Sequence, residues 1–424
     1  LSPSAALAAA AARSEGREGE EGGRDEGPWE HEDPVLHTSV GLLASITLLP
    51  SLFALTQKPR TARRVWPVLD NFLAIFLAVA WFQALDEVMD YSVGSVRAKG
   101  LATLRANALF GLAIHGCALY ALWLLRRREM SLAVVGGSLA HLVSFSAIKT
   151  ASDAQEAFFA TSPWHSSGCC LVVMLVVVGL LAWKSLFLNP HLIKQEKSDE
   201  WVEVSDDLYW DVCGMTLAIV STQAAHHAIV GDFDVIEEPI MSHSRRDVFA
   251  FLLYSFALMA VFALAAPRLD REMTNTAWWV FNLAHVCRNV LVMMVAWSYL
   301  LVMKWILLEG YLVSLQCSEL FAALILSFVA SAILMVAIWG LPEDWSVRAH
   351  PRKRLSCLIL QSLSLMCAWS WEELLDEAID ALADQGLSRV GLKIFIALLI
   401  TAVVAPVHVQ HIHPKVEEIC GKAE

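Results

Sequence analysis

Long apolar runs separated by short charged segments set the pattern of this chain. Eleven runs lie near residues 37–55, 68–90, 106–125, 131–159, 168–188, 207–231, 247–266, 275–308, 320–340, 354–380 and 392–412. About 20 apolar residues in a helix cross a hydrocarbon core of about 30 Å. A helix also satisfies its own backbone hydrogen bonds where no water is present. A transmembrane barrel would instead show alternating runs of about 10 residues, and the sequence has none. The pattern therefore predicts an all-α, polytopic integral membrane bundle of about eleven transmembrane helices over residues 37–412. The run at 275–308 exceeds what a bilayer needs, which predicts tilt or projection beyond the lipid.

Composition agrees with this pattern. Hydrophobic residues make up 57% of the chain and charged residues 17%, against about 25% charged in soluble domains. Residues 1–36 are rich in Ala, Gly and Glu and include EGREGEEGGRDEG from Glu15 to Gly27. That stretch has too little apolar surface to offset the entropy of ordering, so a disordered acidic tail is expected. Residues 413–424 read as a short C-terminal tail. The chain opens on Leu1 rather than Met, as expected of a fragment or a processed product. The net charge of −12 is concentrated at the ends and argues against nucleic acid as a partner.

Lys and Arg in the loops set the expected orientation. Fifteen fall in the odd-numbered loops (Lys58, Arg60, Arg63 and Arg64 in the first; Arg126, Arg127 and Arg128 in the third), against six in the even ones. The N-terminus is thus expected outside and the C-terminus in the cytoplasm.

The sequence also repeats itself. WFQALDEVMD at 81–90 aligns with WEELLDEAID at 371–380, matching Trp81 to Trp371, Leu85 to Leu375, Asp86 to Asp376, Glu87 to Glu377 and Asp90 to Asp380. Leu139-Ala140-His141 aligns with Leu283-Ala284-His285. Both offsets are close to multiples of one two-helix hairpin, so the bundle is expected to consist of tandem helical hairpins plus a last helix. Nearly all intramembrane polar residues fall on the even-numbered runs. Polar groups in lipid cost a few kcal/mol unless paired or hydrated, so those helices are expected to face inward and the odd ones to face lipid.

Several clusters could carry chemistry. Asp86, Glu87 and Asp90, with Glu372, Glu373, Asp376, Glu377 and Asp380, are expected to crowd the non-cytoplasmic ends of two even helices. Asp153, Glu156, Asp232, Asp234, Glu237, Glu238 and Glu309 are expected on the same side. Like charges four residues apart repel by roughly 0.2–0.5 kcal/mol per pair, and a cation nearby reverses that sign. Such a mouth concentrates cations; equally, it could be a solvated helix end. Lys149 and Asp153, one turn apart, are expected to pair. His285, Arg288 and Asn289 share one face of the eighth run, with Arg288 either a partner to a carboxylate or a substrate contact. His115, His141, His226, His227 and His285 could serve a haem or metal centre, which needs facing histidines, but no spacing is diagnostic and packed histidines are the simpler expectation. His408, His411 and His413, with Glu417, Glu418 and Cys420, form a further weak metal motif. The nine cysteines include no CxxC pair and are expected to pack as small apolar residues. No phosphate-binding loop, dinucleotide fingerprint, nucleophile elbow, HExxH or kinase signature is present.

SWEELLDEAID (Ser370–Asp380) and AWSYLLVMKW (Ala296–Trp305) together resemble a multispanning membrane-protein family of dinoflagellate algae with no assigned activity. The family pattern ends a late span on Ser-Trp-Glu followed by two aspartates, matched here by Ser370, Trp371, Glu372, Asp376 and Asp380. The chain departs from it at Glu377, where a small residue is expected. The resemblance covers the C-terminal part of the chain and implies a membrane protein from such an alga, with no activity attached.

Three functions are open at this point. One is a cation or proton channel or transporter with an acidic non-cytoplasmic vestibule. Another is a non-transporting membrane scaffold or sensor. The last is an intramembrane haem or metal redox protein, which the histidines alone support. The expected partners are the lipid bilayer, small cations or protons, and further copies of the chain. No cofactor and no catalytic residue is expected.

Overall fold

The computed structural model describes residues 59–93, 101–184, 186, 199–231, 233, 244–273, 277–307, 319–340, 351–383 and 388–421. They form ten long helices: α1 (Pro59–Val93), α2 (Leu101–Leu125), α3 (Glu129–Phe159), α4 (Pro163–Trp183), α5 (Asp199–Val230), α6 (Arg245–Glu272), α7 (Trp278–Lys304), α8 (Glu319–Gly340), α9 (Pro351–Ala383) and α10 (Arg389–Val407). A π-helical turn (His408–Ile412) and a short helix α11 (His413–Gly421) follow. Each matches one expected span, except that α11 occupies the expected C-terminal tail. The expected first span at 37–55 and the tail at 1–36 lie outside the described residues.

Eight of the helices are long and apolar enough to cross a membrane. The two long helices outside that set are α5 and α9, which carry Glu203, Asp206, Asp207 and Asp211, and Glu372, Glu373, Asp376 and Glu377, respectively. Helix ends follow local chemistry. Ser162 caps α4 ahead of Pro163 at the first helical position. Ser244 and Asp247 form a reciprocal capping box on α6. Pro406 lies just before the π turn; it lacks an N–H and so breaks the i→i−4 ladder, consistent with the slip to a wider turn.

The helices pack in two layers. Helices α1, α3, α5, α7 and α9 form a closed ring, each packed on the next and α9 back on α1. Around it α2 packs on α3, α4 on α5, α6 on α7, α8 on α9 and α10 on α1. All five ring helices run in the same direction. Phe82 meets Phe145 and, further along both helices, Asp86 meets Lys149. Trp210 reaches Asn282, and beyond it Gly214 abuts Asn289. Ser362 reaches Val292, and Trp369 then stacks on Trp297. Asn71 bonds to Ser364, and further on Gln83 bonds to Glu372.

The layers differ in what they bury. The apolar windows of α1, α3 and α7 are 61%, 56% and 56% buried, whereas those of α2, α4, α6 and α10 are 17%, 22%, 22% and 11% buried. Outward residues such as Leu109, Leu175, Leu264 and Val403 give the outer helices an apolar face suited to acyl chains. Helix α8 is the exception at 50% buried. Its Ser327 hydroxyl donates to the Ser370 carbonyl at 2.5 Å, and the Trp371 indole donates to Ser331 at 2.9 Å. Buried Arg64 holds α8 from the opposite end by donating to the Ile338 carbonyl at 2.5 Å, near the α8 C-terminus, where a cation is favoured.

Helices α5 and α7 pack closely at Gly214. A Cβ there would lie 2.6 Å from Asn289 Cβ and 3.5 Å from the α7 backbone. Because backbone on the far side cannot yield as a side chain can, Gly214→Ala is expected to destabilise the bundle by about 1–3 kcal/mol. Thermal unfolding in detergent checks this. A melting temperature equal to the parent's would mean that the two helices separate freely.

Candidate functional site

The C-terminal ends of the ring helices surround one cavity of about 1020 Å³. All five ring helices line it, together with Thr103 of α2 and Arg389 and Lys393 of α10. On each ring helix the apolar lining residue precedes the polar one: Phe82 before Asp86, Phe145 before Ser152, Ile219 before Gln223, Trp297 before Lys304, and Trp369 before Glu372. The cavity is therefore aromatic at depth and charged at its mouth. The parallel ring also places five helix C-termini at this end, each carrying a partial negative charge.

Seven of the eight acids singled out in the repeat line this cavity: Asp86, Glu87, Asp90, Glu372, Glu373, Asp376 and Glu377. Asp380 stands beside them, joined to Arg389 at 2.7 Å. The acids are extensively paired. Lys149 binds Asp86 at 2.5 Å, Lys304 binds Glu373 at 2.7 Å, and Lys393 binds Asp376 at 2.7 Å and Glu87 at 3.5 Å. Arg389 reaches Glu87 at 3.3 Å. Glu372 accepts from Gln83. The lining carries seven carboxylates against Lys304, Arg389 and Lys393, an excess of four negative charges. Asp232, Asp234, Glu237, Glu238 and Glu309 lie outside the described residues.

One local expectation changes. Lys149 reaches across to Asp86 on α1 and acts on Asp153 through its charge, while Asp153 accepts a hydrogen bond from Asn107 on α2. A lysine stem spans to the neighbouring helix, and the pairing across helices stitches α1 to α3 where a pair within α3 would not.

A second polar layer joins α4, α5 and α7 nearer the opposite end of the ring. Asn289 donates to Asp211 at 2.8 Å, and the Trp210 indole donates to Asn282 at 2.8 Å. Arg288 stands near enough to Asp207 and Asp211 to act on both through its charge, while its Nε is buried with no hydrogen-bond partner. Buried Lys184 pairs with Asp206. His285 lies flat on Trp210, with ring centroids 3.8 Å apart. The other intramembrane histidines are dispersed: His226 packs on Phe251 and Trp305, His227 on Phe233 and His115 on Tyr209, while His141 is buried in α3. Among the described residues no group of three or more His, Cys, Asp or Glu side chains could hold a metal ion.

After the last span, His408 and His413 both bond to Oδ1 of Asp70, at 2.8 and 3.2 Å, and so tie the π turn and α11 to α1. His411 is exposed.

Sequence reading missed Gln83, Gln223, Lys304, Lys393 and Asp70 as members of these clusters. Lys304 and Lys393 carried a signal, since each is a lone cation at the edge of an apolar run. Gln83 and Gln223 are neutral and left no trace. Comparison of the chain with protein-family models, with curated proteins and with solved structures finds no match.

Proposed function

We propose that the protein is a cation or proton carrier of the membrane, loaded from the cavity within the helix ring. The observation that carries this reading is the cavity's construction: an excess of carboxylates at the mouth, five converging helix C-termini, and a floor of stacked aromatics. Trp297 and Trp369 lie face to face with centroids 4.5 Å apart and interplanar angle 6°. Beneath them a single buried cluster links the ring through Leu73, Met215, Met293 and Met366. A blind cavity over a packed core favours alternating access over an open channel. On the loop-charge rule the cavity faces the non-cytoplasmic side, and the eleven-span count and the kinship with the dinoflagellate family belong to the same proposal.

Tandem hairpins are part of this reading. Side-chain hydrogen-bond partners on successive ring helices are 63 to 78 residues apart, about the length of one two-helix hairpin, which supports repeated units. Trp81 and Trp371 also play similar parts, each indole donating to a hydroxyl on an outer helix, Thr401 at 2.8 Å and Ser331 at 2.9 Å.

The test is uptake into liposomes reconstituted with the purified protein. A carrier gives saturable cation uptake, and counter-substrate trapped inside accelerates it. No uptake of sodium, potassium, protons or ammonium compounds above protein-free liposomes would return the protein to the scaffold or sensor class.

A further inference from the structure

Among the residues that line the cavity, Gln223 carries a polar atom with no partner. Gln223 is 1% exposed and its Nε2 donates to Ser152 Oγ at 3.3 Å. Its Oε1 is buried with no hydrogen-bond partner. Exchanging the amide O and N would leave an N–H unfilled instead, so either assignment leaves one amide group awaiting a ligand. An unmet buried polar atom costs about 1–3 kcal/mol, which gives a solute reaching it a reason to stay. Phe82, Phe145, Trp369 and Trp297 form a continuous run of aromatic rings in the same lining, with successive centroids 5.8, 6.4 and 4.5 Å apart.

Size and chemistry select the solute. A hard divalent cation takes about six to eight oxygen ligands, and among the described residues no group of three or more His, Cys, Asp or Glu side chains could hold a metal ion. The cavity's 1020 Å³ suits an organic molecule, since small-molecule pockets run from about 300 to 1,000 Å³. Carboxylates above aromatic rings attract an ammonium group bearing an apolar body, because the ring faces carry partial negative charge. We infer that the cavity binds a small organic ammonium ion with a second polar group, its cationic head held between the carboxylate layer and the aromatic wall and its second group at Gln223. This rests on the cavity being the solute site of the proposed carrier.

The experiment is calorimetric titration of the full chain in lipid nanodiscs with choline, ethanolamine and tyramine, against tetramethylammonium and sodium chloride at matched ionic strength. At least one of the first three is expected to bind saturably at one per chain. Sodium is expected to displace it no more than screening requires. Trp297→Leu should weaken binding about tenfold. Gln223→Leu should remove the preference for choline over tetramethylammonium, about five- to tenfold in the parent. A melting curve for each variant separates loss of the site from loss of the fold. The inference falls if none of the three binds more tightly than about 1 mM, or if sodium competes as well as choline. It also falls if the folded Gln223→Leu protein keeps the preference. Sodium or proton flux without ammonium binding would keep the carrier and remove this inference. Ammonium binding without flux would keep the inference and remove the carrier.

Discussion

Replacing Lys393 by methionine is expected to destabilise the bundle by about 2–4 kcal/mol. Lys393 is 6% exposed, and its ammonium sits 2.7 Å from Asp376 and 3.5 Å from Glu87, joining α10 to α9 and α1. Methionine fills much the same volume, so the loss is electrostatic. It strands the two carboxylates that share the Lys393 ammonium, and exposed Arg389 then remains as a cation beside Glu87 and Asp380. Breaking a fully buried pair costs about 3–5 kcal/mol. Asp376 and Glu87 are 34% and 21% exposed, so water recovers part of that. Lys415→Met is the control, because the Lys415–Glu418 pair is exposed and such pairs contribute about 1 kcal/mol or less. Thermal unfolding of the two variants in one detergent should differ clearly, and Asp376→Asn added to Lys393→Met should restore part of the loss. Equal melting temperatures for the two single variants would show that Lys393 does not bind the ring to its outer helix.

The helices were legible because hydropathy reports the environment that the bilayer imposes on each stretch of chain. Ten expected runs coincide with the helices α1 to α10, eight of them apolar enough to cross a membrane, and the polar residues marked the ring helices because buried polar groups must face one another. What hydropathy cannot report is the partner. Lys149 reads most simply as bonding Asp153 within its own helix, yet it meets Asp86, 63 residues away. Lys304 and Lys393 are single letters until α7, α9 and α10 are brought together. The acids looked like repelling stacks because their counter-charges come from helices distant in sequence. α11 was missed for the opposite reason. It is a polar helix held through Asp70 to His408 and His413, and no apolar run announces it. Gln223 left no signal at all, since a glutamine on a buried face reads the same whether its amide is satisfied or waiting.

Neutralising Asp90 and Glu372 together is expected to slow cation uptake about tenfold at low salt if the cavity is the entrance to a carrier. Both line the cavity, and Asp90→Asn with Glu372→Gln removes charge while keeping nearly the same side-chain volume. Glutamine at 372 can still accept from Gln83 through its carbonyl oxygen. The double substitution removes two of the four excess negative charges in the lining, which lowers the local cation concentration and the rate of capture. The effect must depend on salt. Charges are felt over about 30 Å at 0.01 M ionic strength, about 10 Å at 0.1 M and about 3 Å at 1 M. Parent and variant should therefore differ most in the first condition and converge in the last. Initial uptake rates in proteoliposomes across that series measure it, with melting temperatures showing that both proteins remain folded. A constant ratio at every ionic strength would mean that the two groups contact the solute directly. Equal rates at 0.01 M would mean that these acids are a wetted helix end with no part in capture, and the cavity would then lose its claim to be the entrance.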